Sequence, residues 1–211
     1  EPDRPALAGE LAPLLEPSTI AAAVILGKVA KRAALYETEL LVPHREPITM
    51  AVCQEITKQA YLEAGKPDLF KEDANFFITA DQFSYTAAVD GIMLRKKPAA
   101  NFFMGAYFAE SLLLTETGAS TGAIQIAGTD SDHQLPFFVT TCDYTLIGEE
   151  LYAASAYLSK EPVQIGTLLG QDIGKAVVLS AIGIGIVLAT VGAVTGAQWP
   201  QLFLDLLRDL K

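Results

Sequence analysis

AVVLSAIGIGIVLATVGAVTGA, residues 176–197, runs twenty-two residues without a charge between Lys175 and Gln198-Trp199-Pro200. As an α-helix it is about 33 Å long, enough for the roughly 30 Å hydrocarbon layer of a bilayer. A chain of 211 residues rarely encloses so long an uncharged run in a soluble core, so the stretch predicts one membrane-spanning helix. It also divides the molecule. The formal net charge of −10 falls wholly in residues 1–175, which hold thirteen basic and twenty-three acidic side chains, while the stretch after the span is balanced. One part is an acidic, water-facing body and the other does not face water. At 51% apolar and 19% charged the chain is no disordered protein, and its acidity excludes a phosphate-backbone binder, so no nucleic-acid partner is expected.

Within the span, Ala181, Gly185, Ala189, Gly192 and Gly196 recur at spacings of four, four, three and four and therefore share one helix face. Lipid tails are as apolar as leucine, so helices in a bilayer associate by close packing, which small residues permit. This stripe predicts self-association or packing on another membrane subunit. Only Ser180, Thr190 and Thr195 are polar and none is ionisable, which argues against a pore lining. Trp199 suits the headgroup level, and QLFLDLLRDLK (201–211) puts Phe203 with four leucines on one side and its charges on the other, as an amphipathic helix in the interface does. Basic residues flank the span equally, Lys160 and Lys175 before it and Arg208 and Lys211 after it, so charge assigns no side of the membrane to the body.

Upstream, residues 1–17 contain four prolines and read as an extended arm. Glu1 opens no signal-peptide pattern, and an upstream membrane segment stays open. Ser18 is placed to cap a helix through TIAAAVILGKVAKRAALYETELL (19–41), whose Lys28, Lys31 and Arg32 group on one face; packing on its own domain is the plainer use of it than lipid contact. Pro43 and Pro47 bracket a loop, followed by a helix ending at Gly65. NFFIT (75–79), NFFM (101–104), AIQIA (123–127) and PFFVTTC (136–142) then read as strands, with helices over 82–94, 106–117 and 144–159. Strands alternating with helices predict an α/β fold with a small, mainly parallel sheet; absorbing the NFF segments into helices is the rival, nearly all-α reading. The domain plan is an arm at 1–17, an acidic α/β body at 18–173, a span at 174–197 and a tail at 198–211.

Ligands bind at the carboxyl ends of strands in this architecture. Those ends are predicted to carry Asp81, then Asp130, Asp132 and His133, then Asp143. Carboxylates with one imidazole suit a divalent cation, but the spacing matches neither an EF-hand nor a zinc enzyme, and a solvated acidic loop is the plainer reading. Gly118 in TETGASTGA reads as a helix C-cap rather than part of a phosphate loop, since no P-loop lysine follows. Cys53 and Cys142 have no CxxC spacing and read as core residues, and His44 has no partner that spacing assigns. No nucleophile signature is present, so no catalytic residue and no cofactor is assigned.

AESLLLTETGASTGAIQIAGT (109–129), continued by PFFVTTCDYTLIGEELYAASAYLS (136–159), resembles an uncharacterised family of prokaryotic membrane-associated proteins known as a domain of unknown function. The resemblance covers residues 36–197 and implies an α/β body tied to a membrane, without implying an activity. The functional expectation is a membrane-anchored structural or accessory subunit, single-pass in a cell membrane, that self-assembles or packs in a larger complex. The alternative is a membrane-tethered binding module or enzyme for a small ligand or divalent cation at the strand ends.

Overall fold

The computed structural model describes residues 16–195 and divides them after Glu161. Residues 16–161 are an α/β unit in the order α1 (Pro17–Leu35), β1 (Val42–His44), α2 (Pro47–Glu63), β2 (Asn75–Phe77), α3 (Gln82–Lys96), β3 (Ala100–Met104), α4 (Ser111–Ser120), β4 (Ile124–Thr129), α5 (Leu135–Thr141), β5 (Tyr144–Ile147) and α6 (Glu149–Ser159). Two short 3₁₀ turns precede β2. From Pro162 to Thr195 the chain is one helix, α7. Gly196, Trp199, Phe203, the tail and most of the proline-rich arm lie outside the described residues.

Every strand pairing is parallel. β1 pairs with β2, and β4 lies between β3 and β5, so helices must return the chain from the end of each strand to the start of the next. The register sets Phe103 beside Ala127, and their face packs on Val89 and Met93 of α3, Leu114 of α4 and Phe138 of α5. On the other face Met104 and Leu146 meet Ala21 and Ile25 of α1 and Leu151 of α6. Small side chains bring α1 onto α2, where Ala30, Ala34 and Ala60 bury around Tyr61. These two apolar faces make the α/β reading the correct one and exclude the all-α rival.

Several boundaries differ from the sequence reading. PFFVTTC is a helix, α5, and the strand falls inside the predicted helix at 144–159. Strand propensity in FFVTT is overridden because Pro136 fits a first helical turn and helical geometry drops Phe138 wholly into the core. Thr140 and Thr141 then donate their hydroxyls to the preceding turn, to Pro136 O and Phe137 O. Pro43 stands in β1 rather than a loop, tolerated because that strand lies at a sheet edge. Ser18 is buried in the first turn of α1 rather than capping it, after Pro17 begins the helix.

Gly118 is not a C-cap either, since it lies inside α4, where the side chain of Gln125 crosses the helix. Gln125, fully buried on β4, donates from Nε2 to Thr115 O at 3.0 Å and to Thr141 O at 2.8 Å, tying α4 to α5. A β-carbon at Gly118 would stand 2.1 Å from Gln125 Oε1 and 2.9 Å from Asn101 Nδ2. Gly118→Ala is therefore expected to cost about 1–3 kcal/mol as an overpacked core position, despite the higher helix propensity of alanine. Denaturant unfolding of the variant checks this, and an unchanged or raised midpoint would show that Gln125 moves aside freely.

Candidate functional site

The carboxyl ends of the strands are held together by one buried carboxylate. Glu110, in the connection from β3 to α4, is 5% exposed and accepts from Gln82 Nε2 at 2.5 Å, from the Phe108 backbone amide at 3.1 Å and from Arg45 Nη1 at 3.5 Å. Arg45 follows β1, Gln82 opens α3 after β2, and Glu110 follows β3, so three loops of two sheets meet on one side chain. The Arg45 guanidinium stands over the Phe108 ring, 5.7 Å from its centroid. Beside it the Tyr85 hydroxyl donates to Pro43 O at 3.1 Å, and burial pushes that phenol up to about 12. Ser111 donates to Gln134 Oε1 at 2.6 Å and brings in the loop after β4.

This is a clasp more than a reaction centre. With three donors on its two oxygens, the Glu110 carboxylate is committed to holding loops. Asp81 is also engaged as the N-cap of α3, accepting from the Ser84 amide at 2.8 Å, and hydrogen bonding from the Ser84 side chain and then from that amide lowers its pKa. Behind the clasp His44 is buried and donates from Nε2 to Asn75 Oδ1 at 3.2 Å, across the β1–β2 pair. Burial lowers its pKa, outweighing that hydrogen bond.

The acidic loop candidates divide. Asp130 follows β4 at the carboxyl edge and accepts from the Tyr152 hydroxyl at 2.5 Å, while Asp132 and His133 stand exposed in the turn before α5. Asp143 is at the opposite edge. Because residues 135–141 are helical, it precedes β5 instead of following a strand, and it accepts from the Gln125 backbone amide at 2.8 Å. No group of three or more His, Cys, Asp or Glu able to hold a metal ion is present among the described residues. Cys53 is buried with its thiol pushed up to about 11, and burial also raises the half-buried Cys142, the direction opposite to an activated nucleophile.

Sequence reasoning missed Glu110, Arg45 and Gln82, which lie far apart in the chain and follow no motif spacing. The one usable signal was that Gln82 and Glu110 come after segments read as strands, whereas β1, before Arg45, was itself read as a loop.

A family model described as "Domain of unknown function (DUF6754)" matches residues 9–200. No curated protein and no solved structure matches the chain.

Replacing Glu110 by alanine leaves the Gln82, Phe108 and Arg45 donors without their acceptor. The expected loss is about 2–3 kcal/mol, read from denaturant unfolding, with a loss under about 0.5 kcal/mol showing that water replaces the clasp. His44 generates a pH dependence. Its folded pKa lies below the unfolded value near 6.5, so the unfolded chain binds the proton more readily. Its contribution is complete above pH 6.5 and is lost as pH falls toward the folded pKa. Unfolding midpoints at pH 8 and pH 5 are expected to differ less in His44→Asn than in the parent, and an undiminished difference in the variant would contradict this.

Proposed function

The chain belongs to the DUF6754 family, and on that premise we propose that it is a membrane-anchored structural or accessory subunit that self-associates or packs within a larger membrane complex. The family model runs through the α/β unit and the apolar helix alike, which supports reading the two together.

The observation that carries the reading is the state of α7. Pro162–Val194 is long and apolar enough to cross a membrane, with a mean hydropathy of 2.5 and only 6% of its most apolar stretch buried by the described chain. Val177, Leu179, Ile186 and Val187 are all more than half exposed. Left in water, such a surface would be a large unsolvated apolar patch, whereas lipid covers it without cost. The polar groups of the helix fit the same medium. Ser180 donates its hydroxyl to Ala176 O at 2.7 Å and Thr190 donates to Ile186 O at 2.8 Å, so neither needs a water partner.

Support for an assembly role comes from the helix being continuous across the small residues. Ala181, Gly185, Ala189 and Gly192 fall within about 80° of arc on an unbroken α-helix. That face admits a second backbone more closely than the flanking isoleucines and valines do. A binding role in the α/β unit keeps one observation in its favour, that Asp130, Asp132 and His133 follow β4 directly at the edge where such folds take ligands. A cation-dependent rise in melting temperature that disappears in Asp130→Ala, Asp132→Ala would promote that role.

In the test of the main reading, membranes from cells expressing the full chain are washed with alkaline carbonate, extracted in mild detergent, and the particle mass is measured. The expected results are retention through the wash, a discrete mass above one chain plus detergent, and about tenfold weaker association in Gly185→Leu, Gly192→Leu. Release by carbonate would overturn the anchor. A single-chain mass, or unaltered association in the double variant, would overturn the packing face.

A further inference from the structure

Beneath α4 the α/β unit gathers polar atoms that its own hydrogen bonds do not complete. Asn101 on β3 and Gln125 on β4 are opposed in the parallel register, two residues before Phe103 and Ala127, and therefore on the same face of the sheet, toward α3, α4 and α5. Gln125 is 1% exposed, and its Oε1 has no hydrogen-bond partner among the described residues. Asn101 Nδ2 is buried and unpartnered as well. Both atoms abut one place on α4. The β-carbon that Gly118 lacks would stand 2.1 Å from Gln125 Oε1 and 2.9 Å from Asn101 Nδ2, so the two are separated by no more than those distances together. Thr117, one residue earlier, turns its side chain to the carboxylate of Asp90 on α3, whose Oδ1 is likewise buried without a partner. Three of the four buried side-chain atoms left unpaired among the described residues thus belong to side chains that meet Thr117 and Gly118.

Turning the amides over does not cure the shortage. Gln125 Nε2 donates to Thr115 O and Thr141 O, so exchanging its amide ends would set Oε1 against two carbonyl oxygens. Exchanging those of Asn101 would present an oxygen toward Gln125 Oε1 in place of the donor. A molecule that completes the pair must accept from Asn101 and donate to Gln125. A metal ion or a halide cannot do both, whereas water can, and with about 2.7–3.2 Å on each side one water spans a gap of this width. Buried waters occupy such places, each tied to about three otherwise unsatisfied polar groups.

We infer that the seam between β3, β4 and α4 is the binding site of one water molecule, which accepts from Asn101 Nδ2 and donates to Gln125 Oε1. Through Gln125 Nε2 this water joins β3 and β4 to α4 and α5 in one chain of hydrogen bonds. The inference concerns the α/β unit alone and stands whether or not α7 crosses a bilayer.

The test uses the full chain, labelled with nitrogen-15 and solubilised in detergent, and reads Overhauser contacts between the Asn101 side-chain amide and water in the laboratory and rotating frames. Asn101→Asp, which removes that amide signal, identifies it. The expected result is a water cross-peak of opposite sign in the two frames, the mark of a bound water, that persists in Thr117→Val, where the neighbouring hydroxyl can no longer relay exchange. An absent cross-peak, one of the same sign in both frames, or one lost in Thr117→Val would overturn the site. A scalar coupling from Asn101 Nδ2 to the side-chain carbonyl carbon of Gln125 would also overturn it, by pairing the two amides directly.

Discussion

An α-helix whose apolar side chains are left bare by the chain that carries them is costly in water, and α7 is such a helix. Several features of the helix accord with the lipid cover proposed for it. Charges are absent from 176–195, and the hydroxyls of Ser180 and Thr190 close on the carbonyls one turn back. The large side chains stand outward while alanine and glycine share a face. In a bilayer each of these is favourable, and in water the first and the third are costly.

The α/β unit answers a different demand. Parallel strands place every loop after a strand at one edge, where backbone groups end and must be tied. The unit meets this with side chains, and Glu110 gathers the loops after β1, β2 and β3 by accepting three hydrogen bonds in a buried place. A buried carboxylate would be expensive alone, and Arg45 with the Gln82 amide and a backbone amide offset that cost. The consequence for function is that the edge where this architecture offers a ligand site is here largely consumed by its own fastening. What remains outward at that edge is a carboxylate-rich loop surface.

Much of this was legible in the sequence, and the failures have specific causes. The uncharged run stood out because its length alone exceeds what a small core encloses. The strands at 75, 101 and 124 showed through their apolar runs, and β-branched or aromatic content was a sound guide where the segment sits in the sheet. At 136–142 the same content misled, because Phe138 is buried by a helix whose first turn Pro136 starts, and Asp143 consequently moved to the opposite edge. His44 and Asn75 are 31 residues apart and meet only through β1–β2 pairing, which no spacing rule assigns. Gly118 looked like a helix end because glycine usually marks one, whereas here its absent side chain makes room for Gln125. Glu110 was invisible for the reason that makes it central: its partners come from three loops.

The central claim is that lipid covers α7, and apolar photolabelling tests it most directly. A carbene precursor that partitions into the hydrocarbon layer is activated in vesicles holding the full chain, and adducts are located by mass spectrometry of peptides. The account predicts adducts concentrated within residues 176–195 and absent from residues 38–161. Adducts missing from 176–195, or spread evenly over the α/β unit, would contradict it.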